Sequence, residues 1–366
     1  MTRPVIKPWI DRIHAYKPGK ANSSDGRALI KLSANENPLG TSPAALAALA
    51  EPREQAALYA DPDCTALREA LGELHGLEAD QIVCGTGSGE LLHCAVQAFA
   101  GFGDEVLSSR YSFSLYPLIA RKVGATPVLA SDADYAADID ALLSAVTPNT
   151  RVVLFDNPNN PTATYVAPDE VRRLHASLRP DILLVLDEAY AEYLPKQHQS
   201  FGFDMARDHE NVLVTRTFSK AYGLAAERIG WAYGAPHLID SLNRLRGAFN
   251  VSASGQKAAL AALADQDFVR RSADNNRAVR KEFDRQIEAL GNHGLRALPS
   301  EANFVLIEFL GELTAVDAMN ALSDQGYAVR HLPSQGLPNH LRITIGTAQD
   351  MDVVAAILAR LVGGNS

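Results

Sequence analysis

The sequence predicts an α/β protein: a large domain with a mostly parallel sheet flanked by helices, a smaller α+β domain, and an N-terminal arm. Apolar segments of strand length alternate with helical segments from about residue 65, and residues 182–186 are apolar without alternation. An uninterrupted apolar strand is typical of a sheet that is covered on both faces. Strands separated by helices imply parallel βαβ units with right-handed crossovers.

The length of 366 residues exceeds that of one ordinary domain, which has roughly 100–200 residues. We expect an arm at residues 1–34, a large domain at residues 35–250 and a small domain at residues 251–366. The arm is rich in Pro, Gly and Lys and has little core of its own. We expect it to pack with the small domain or with a partner subunit, and a loose terminus is the alternative.

The elements of the large domain follow in order. Residues 65–75 carry apolar positions at helical spacing, and residues 81–84 are a short strand. The segment GTGSG and a helical run at residues 90–100 come next. Three apolar strands then follow at residues 152–155, 182–186 and 212–214.

The small domain has a different pattern. Helical patterns fill about residues 256–292, and strands are expected at residues 303–309, 327–331 and 341–345, with a helix at about residues 314–325. Because these strands do not alternate regularly with helices, we expect antiparallel pairing with helices on one face.

Composition excludes several classes of protein. Lysine and arginine number 34 against 43 acidic residues, and no basic run suggests nucleic-acid binding. The cysteines, Cys64, Cys84 and Cys94, are few and form no CxxC pair, and the histidines lack metal-ligand spacing, so we expect no metal and a cytoplasmic location. The N-terminus lacks the apolar stretch of a signal peptide, and no apolar run approaches the ~20 residues of a membrane span.

Polar side chains follow the three apolar strands of the large domain. Asn160 lies in the segment after the first, Asp187 and Tyr190 follow the second, and Lys220 follows the third. Open parallel sheets bind ligands outside the carboxyl ends of their strands. We therefore expect these groups to lie in one site.

An aldehyde cofactor carried on a lysine amine would use each of these groups. Lys220 would form the imine, or Schiff base, and once released would carry a proton between carbon atoms. Asp187 would hold a pyridine nitrogen protonated, which makes the ring a stronger electron sink. Asn160 and Tyr190 would donate hydrogen bonds to the ring's 3′ oxygen.

A phosphate on such a cofactor would need its own binding groups. Backbone N–H groups at a helix N-terminus bind phosphate, and hydroxyls and a guanidinium would complete the set. The residues that we expect there are Ser88, Gly89, Thr217, Ser219 and Arg228. Phe113 is the candidate for the aromatic ring that covers the cofactor face.

Each residue also has a simpler interpretation. A lysine after a strand is usually a surface charge, Asp187 could cap a helix, and Asn160 could be a turn residue. The occurrence of all of them at neighbouring strand ends, with Arg228 eight residues after Lys220, favours the cofactor site.

These residues carry a resemblance to a known family. TFSKAYGLAAERIG at residues 217–230 resembles the lysine motif of fold-type I aminotransferases, and NPNNPT and DEAY add motifs in the family's order. KLSANENPLG, YADPD, GTGSGE and GLPNHLRITIG make the sequence similar to the histidinol-phosphate aminotransferase family from about residue 8 onward. The resemblance implies pyridoxal 5′-phosphate (PLP) as the cofactor.

The resemblance also implies substrates and a partner. The family transfers the amino group of histidinol phosphate to 2-oxoglutarate, giving imidazole acetol phosphate and glutamate in histidine biosynthesis. Tyr59 would reach the cofactor phosphate of the other subunit of a homodimer. Arg342 would bind the substrate carboxylate and Arg330 the substrate phosphate, while Asn37 and Tyr16 would help to line the pocket.

Some of these residues can be weighed from the sequence itself. In the last strand Arg342 and Thr344 share one face and apolar residues share the other, which suits a side chain in a cleft or on a solvated surface. A solvated face is an equal alternative for Arg330. Tyr59 could be an ordinary packed tyrosine, and His331 is expected to be a bystander.

Four positions depart from the family pattern, namely Gly89, Phe113, Ala163 and Glu227. None removes a catalytic group, so they leave the reaction type intact and the substrate open. An aromatic amino acid aminotransferase and a decarboxylase of a phosphorylated amino acid are the alternatives. A non-catalytic ligand sensor normally carries a DNA-binding helix-turn-helix, and residues 1–34 show no such helices.

Overall fold

The computed structural model describes residues 4–11, 13, 26, 28–51 and 57–363. The strands are β1 (Ile30–Lys31), β2 (Ile82–Gly85), β3 (Glu105–Ser109), β4 (Thr126–Ala130), β5 (Asp132–Ala133), β6 (Ala136–Ala137), β7 (Thr150–Asp156), β8 (Leu183–Asp187), β9 (Val212–Thr217), β10 (Gly230–Gly234), β11 (Leu295–Ala297), β12 (Phe304–Phe309), β13 (Tyr327–Ala328), β14 (Arg330–Leu332) and β15 (Leu337–Thr344). The helices are α1 (Pro8–Asp11), α2 (Pro43–Ala50), α3 (Thr65–His75), α4 (Ser88–Phe99), α5 (Leu115–Val123), α6 (Ile139–Ser144), α7 (Pro168–Ser177), α8 (Phe201–Asp208), α9 (Pro236–Asn243), α10 (Ala253–Ala264), α11 (Gln266–Glu288), α12 (Ala315–Asp324) and α13 (Ala348–Gly363).

The larger sheet has seven strands in the order β2-β10-β9-β8-β7-β3-β4. All neighbouring pairs are parallel except those that β10 makes with β2 and β9, so the predicted mostly parallel sheet is confirmed. The three predicted apolar strands are adjacent, and Asp187 is in register with both Asp156 and Thr215. The carboxyl ends of β7, β8 and β9 therefore lie side by side.

The central strands are covered on both faces. Successive residues alternate between two apolar layers, with Phe155 and Leu186 in one layer and Leu154 and Val185 in the other. Burying apolar side chains on both faces is the main favourable contribution to holding these strands in place. The absence of polar alternation in the sequence of β8 follows from this double burial.

The smaller sheet has four antiparallel strands in the order β11-β12-β15-β14, as expected for the C-terminal part of the chain. Its apolar face packs against residues from α11, α12 and α13, such as Phe283, Leu322 and Leu358. The other side of β14 and β15 faces the larger sheet's strand ends, which is how Arg330 and Arg342 reach the site described below.

Two predicted segments are each divided in the structure. The helical pattern at residues 256–292 is two helices, because the Asp265 side chain accepts a hydrogen bond from Phe268 N and caps the start of α11. The predicted strand at residues 327–331 is two strands with different neighbours: β13 pairs with β1 in parallel, and β14 pairs with β15.

The N-terminal segment contacts both units. Strand β1 pairs with β13, whereas Trp9 of α1 lies near Phe102, with 6.2 Å between ring centroids. Helix α10 packs against α2 and α3 of the larger unit, so the division at residues 250/251 stays a prediction. Among the described helices, none is long and apolar enough to cross a membrane.

Candidate active site

A cavity of about 570 Å³ lies at the carboxyl ends of β7, β8 and β9, facing β14 and β15. Most of the side chains that the sequence nominates line this one cavity. They are Ser88, Gly89, Phe113, Asn160, Asp187, Tyr190, Thr217, Ser219, Lys220, Arg228, Arg330 and Arg342.

Two nominated residues lie outside this cavity. Tyr59 is 82% exposed and stacks on Phe249, with 4.4 Å between the ring centroids. Asn37 is outside the cavity lining, because its side-chain nitrogen donates to the carbonyl of Ala221 and to Ser272 Oγ, so the geometry does not support contact with substrate. Tyr16 lies outside the described residues.

A larger hollow of about 920 Å³ beside α11 is a poorer candidate. Exposed arginines and carboxylates of α11 line it, and they pair with one another along the helix, as Arg285 does with Glu282. Exposed pairs of this kind are a solvated helix face rather than a preorganised site.

Lys220 is partly buried and lines the cavity. Its Nζ donates to the carbonyl of Ala34 at 3.1 Å and lies 5.8 Å from the centroid of the Tyr190 ring. Burial, assisted by the positive charge of Arg342, lowers the pKa of Lys220 to about 7. A large fraction of this amine is therefore unprotonated at neutral pH, as a nucleophile or a base requires.

Asp187 ends β8 and is buried. Its carboxylate accepts hydrogen bonds at 3.0 Å from Thr215 Oγ1 and from the Tyr116 hydroxyl. Burial raises its pKa to about 6, and these two hydrogen bonds oppose the rise. The helix-cap alternative is wrong, because the acceptors are used by neighbouring side chains instead of by helix N–H groups.

Asn160 and Arg342 meet across the cavity. Arg342 Nη1 donates to Asn160 Oδ1, and Nη2 donates to the carbonyl of Ser33 at 2.8 Å. Arg342 is only 9% exposed, so the solvated-face alternative is wrong for it. Because the oxygen of the Asn160 amide is engaged, its nitrogen remains to donate into the cavity.

The Asn160 loop is held by a second buried carboxylate. Asp156 Oδ2 accepts from the backbone N–H of Asn160 at 2.8 Å, and Oδ1 accepts from Asn159 Nδ2. Burial and the neighbouring charge of Asp187 raise the pKa of Asp156. Ala163 in the same loop has φ 64°, a region that favours glycine, and this is the position where the family pattern has glycine.

The predicted phosphate corner is closely packed. Helix α4 begins at Ser88, and its N-cap is Gly87 with φ 85°, which has no side chain to occupy the first backbone N–H groups. A Cβ at Gly87 would lie 2.5 Å from Arg228 Nη2. Arg228 Nη1 in turn donates to Ser219 Oγ at 3.1 Å. Backbone N–H groups, a guanidinium and a hydroxyl thus converge on one corner.

Several functional candidates were missed from the sequence. Tyr116 and Thr215 contact Asp187, and a further group from the N-terminal segment and the turn after β14 lines the cavity, namely Lys31, Ser33, Ala34, Asn35 and Gln335. The motif KLSANENPLG contained most of this group, but its spacing did not show which asparagine turns inward. Lys31 also forms an ion pair of 2.6 Å with Glu36.

These side chains fit PLP in chemical type. A partly buried amine with a lowered pKa suits an aldehyde, and a buried carboxyl group suits a pyridine nitrogen. The uncapped helix N-terminus with Arg228 beside it suits a phosphate. Fold and site together define a fold-type I PLP-dependent aminotransferase.

Comparisons with known proteins agree with this class. Residues 27–358 match the family described as Aminotransferase class I and II. The chain is 64% identical to the histidinol-phosphate aminotransferase of Erythrobacter litoralis, over 98% of this chain and 97% of that protein. It is 55% identical to the corresponding protein of Zymomonas mobilis, over 98% of each.

A solved structure is similarly close in shape. The histidinol-phosphate aminotransferase of Sinorhizobium meliloti in complex with pyridoxal-5′-phosphate matches with a TM-score of 0.89 and 29% identity, over 100% of this chain and 99% of that one. The chain therefore belongs to the class I and II aminotransferases and, within them, to the histidinol-phosphate aminotransferase family.

Proposed function

We propose that this protein is a PLP-dependent transaminase of histidine biosynthesis. It would convert histidinol phosphate and 2-oxoglutarate to imidazole acetol phosphate and glutamate, the reaction implied by the names of its relatives. The observation that carries the proposal is that Lys220 and Asp187 line one cavity together with Arg228, Arg330 and Arg342.

Different residues of the cavity would bind different parts of the cofactor. Lys220 Nζ would attach it, Asp187 would face the ring nitrogen, and Asn160 and Tyr190 would donate to the ring oxygen. Ser88, Gly89, Thr217, Ser219 and Arg228 would hold its phosphate. Phe113 lies on the cavity wall in an edge-on contact with Tyr116, where its ring can cover the cofactor face.

When bound, PLP supplies an aldehyde and an electron-withdrawing ring that stabilises the charge left when a substrate Cα–H bond breaks. Lys220 Nζ would take the proton from the substrate Cα and deliver it to the C4′ carbon of the cofactor, since its lowered pKa lets it act as a base near pH 7. Arg342 would bind a carboxylate of 2-oxoglutarate or glutamate through its two Nη atoms, which now donate to Asn160 and Ser33.

The substrate phosphate needs a separate cation. Arg330 on β14 is opposite Arg342 on β15 in the strand register, and both line the cavity. Two guanidiniums on adjacent strands can bind two anionic groups of one active site. This arrangement supports a phosphorylated donor and a dicarboxylate acceptor that use the site in turn.

A donor panel tests this function. Purified protein is mixed with 2-oxoglutarate and histidinol phosphate, phenylalanine or tyrosine, and glutamate and carbon dioxide are both measured. We expect glutamate with histidinol phosphate as the best donor, and a visible cofactor absorption that Lys220→Ala abolishes. Preference for phenylalanine would make it an aromatic aminotransferase. Carbon dioxide without glutamate, measured with a phosphorylated amino acid as an additional donor, would make it a decarboxylase.

We further propose that the active unit is a homodimer with shared sites. Tyr59 is 82% exposed and stacks on Phe249, and the adjacent exposed Leu58 adds apolar surface suited to a second copy. Tyr59 would donate to the cofactor phosphate of the partner subunit. A hybrid dimer of Tyr59→Ala and Lys220→Ala subunits should then retain one intact site, whereas each parent dimer retains none.

We also propose a cytoplasmic location. All three cysteines are free, which supports a reducing compartment. Cell fractionation with an antibody to the protein tests this, and recovery in a membrane or extracellular fraction would contradict it.

A further inference from the structure

We infer that Asn35 is a positioning residue that directs the hydroxyl hydrogen of Tyr190 into the cavity. The proposal rests on the function proposed above, because it concerns the hydrogen bond that Tyr190 would donate to the cofactor. The new element is that the Asn35 side chain, which has no assigned contact with the cofactor, would orient the Tyr190 hydroxyl.

Asn35 is 1% exposed, and both its backbone and its side chain form hydrogen bonds. Its backbone N–H donates to Thr344 Oγ1 at 3.0 Å, and its carbonyl accepts from Asn303 Nδ2 at 3.0 Å. In the side chain, Oδ1 accepts from Thr344 Oγ1 at 3.2 Å, and Nδ2 donates to the Tyr190 oxygen at 2.9 Å. The residue therefore joins β15 and the segment before β12 to Tyr190.

The Thr344 hydroxyl decides which way the Asn35 amide faces. Thr344 is 2% exposed and its oxygen already accepts from the Asn35 N–H, so its hydrogen needs a nearby acceptor. Asn35 Oδ1 provides that acceptor. If the amide were turned over, two donors would face each other and a buried hydroxyl hydrogen would lose its partner, which is unfavourable.

This orientation determines the hydrogen-bonding role of Tyr190. Because Asn35 donates to the phenol oxygen, the phenol hydrogen cannot be used toward Asn35 and remains to donate elsewhere. Tyr190 lines the cavity, and its ring lies 5.8 Å from Lys220 Nζ. The structure thus presents Tyr190 to the cavity as a donor, as an anionic ring oxygen requires.

The backbone conformation at Asn35 limits which residues can occupy this position without strain. Its φ is 56°, in the left-handed region that glycine and asparagine adopt most easily. Asparagine satisfies the backbone and supplies the amide together. Asn35→Gly therefore removes the amide without imposing backbone strain, and Asn35→Asp keeps the oxygens while replacing the donor.

The test is a titration of the bound cofactor's visible absorption in the full-length protein. Loss of a donor to the ring oxygen strengthens proton binding at the neighbouring nitrogen, so the midpoint pH should rise. For Asn35→Gly we expect a rise of about one pH unit, the size of one charge-assisted hydrogen bond. For Asn35→Asp the rise should be at least as large, because its carboxylate accepts the Tyr190 hydrogen.

A double-mutant cycle with Tyr190→Phe gives the control. If Asn35 acts through the Tyr190 hydroxyl, Asn35→Gly should add no further shift in the Tyr190→Phe background. Melting temperatures of the cofactor-free variants are measured alongside to follow any purely structural effect. The inference is overturned if the midpoint of Asn35→Gly is unchanged, or if its shift persists in full with phenylalanine at position 190.

The outcome separates this inference from the proposed function. Absence of a Lys220-dependent absorption in the wild-type protein would contradict the function. If the wild-type protein has normal absorption and transaminase activity, but substitution of Asn35 leaves the midpoint pH of the titration unchanged, only the positioning role would be contradicted.

Discussion

Arg342 on β15 donates a hydrogen bond to Asn160, which follows β7 in the other sheet. The contact connects the two sheets directly across the cavity. An incoming carboxylate must take Arg342 away from Asn160 Oδ1 or share it. Substrate binding and the orientation of the Asn160 amide are therefore coupled in this site.

The first prediction concerns this arginine. Arg342→Lys keeps the charge but loses the planar pair of donors, so KM for 2-oxoglutarate should rise by about 100-fold while the cofactor stays bound. Steady-state kinetics and the absorption spectrum measure the two effects. Arg172→Lys on the exposed face of α7 is the control and should behave as wild type. An unchanged KM for Arg342→Lys would remove Arg342 from the carboxylate site.

The second prediction concerns the phosphate corner. Gly87→Ala places a methyl group 2.5 Å from Arg228 Nη2 and should weaken PLP binding at least about tenfold. Gly103→Ala is the matched control, since its φ of 93° imposes a similar backbone cost of about 1 kcal/mol but nothing lies within 4 Å of the new Cβ. Both variants should melt earlier, and only the first should lose the cofactor on dialysis. Equal retention of PLP would contradict this.

The third prediction separates the two substrate anions. Arg330→Ala should lower kcat/KM for histidinol phosphate by about 100-fold, because a charge-assisted contact to the phosphate is lost. Phenylalanine has no phosphate, so its kcat/KM should change little. Comparable losses for both donors would show that Arg330 does not bind the phosphate.

The fourth prediction follows from the pKa of Lys220. The lysine must be neutral to attack an aldehyde, and its pKa is lowered to about 7. The rate at which cofactor-free protein captures PLP should therefore rise with pH up to about 7 and then level off. Since the charge of Arg342 contributes to the lowering, Arg342→Gln should move the plateau to higher pH. A rate that keeps rising to pH 10, as for an ordinary lysine, would disprove a lowered pKa.

Much of the fold could be predicted because its strands are locally distinctive. The apolar segments of β7, β8 and β9 are buried on both faces, and that burial is visible in the sequence as an absence of alternation. Strand β10 could not be placed in the same way. Its antiparallel position between β2 and β9 depends on partners distant in sequence.

The candidate site, too, could be predicted only in part from the sequence. Lys220 and Asp187 follow recognisable strands, so their positions at the sheet edge follow from chain order. Asn35 and Asn37 are two residues apart in one motif, and the resemblance to the family pointed to Asn37. The structure turns Asn35 toward Tyr190 and Asn37 toward Ser272. Only the left-handed backbone at Asn35 and its contact with Thr344 distinguish them.

The sequence by itself determined the chemical groups and their order, because periodicity and strand-end position are local properties of a chain, and its resemblance to a known family indicated the class of reaction. The tertiary structure alone decided which side chains share one cavity, which atoms donate, and how far Lys220 and Asp187 depart from their ordinary pKa values. Those properties depend on burial and on contacts between segments more than 150 residues apart, such as Asn35 with Tyr190. Electrostatic and hydrogen-bonding effects of this kind arise only when folding removes water from the site.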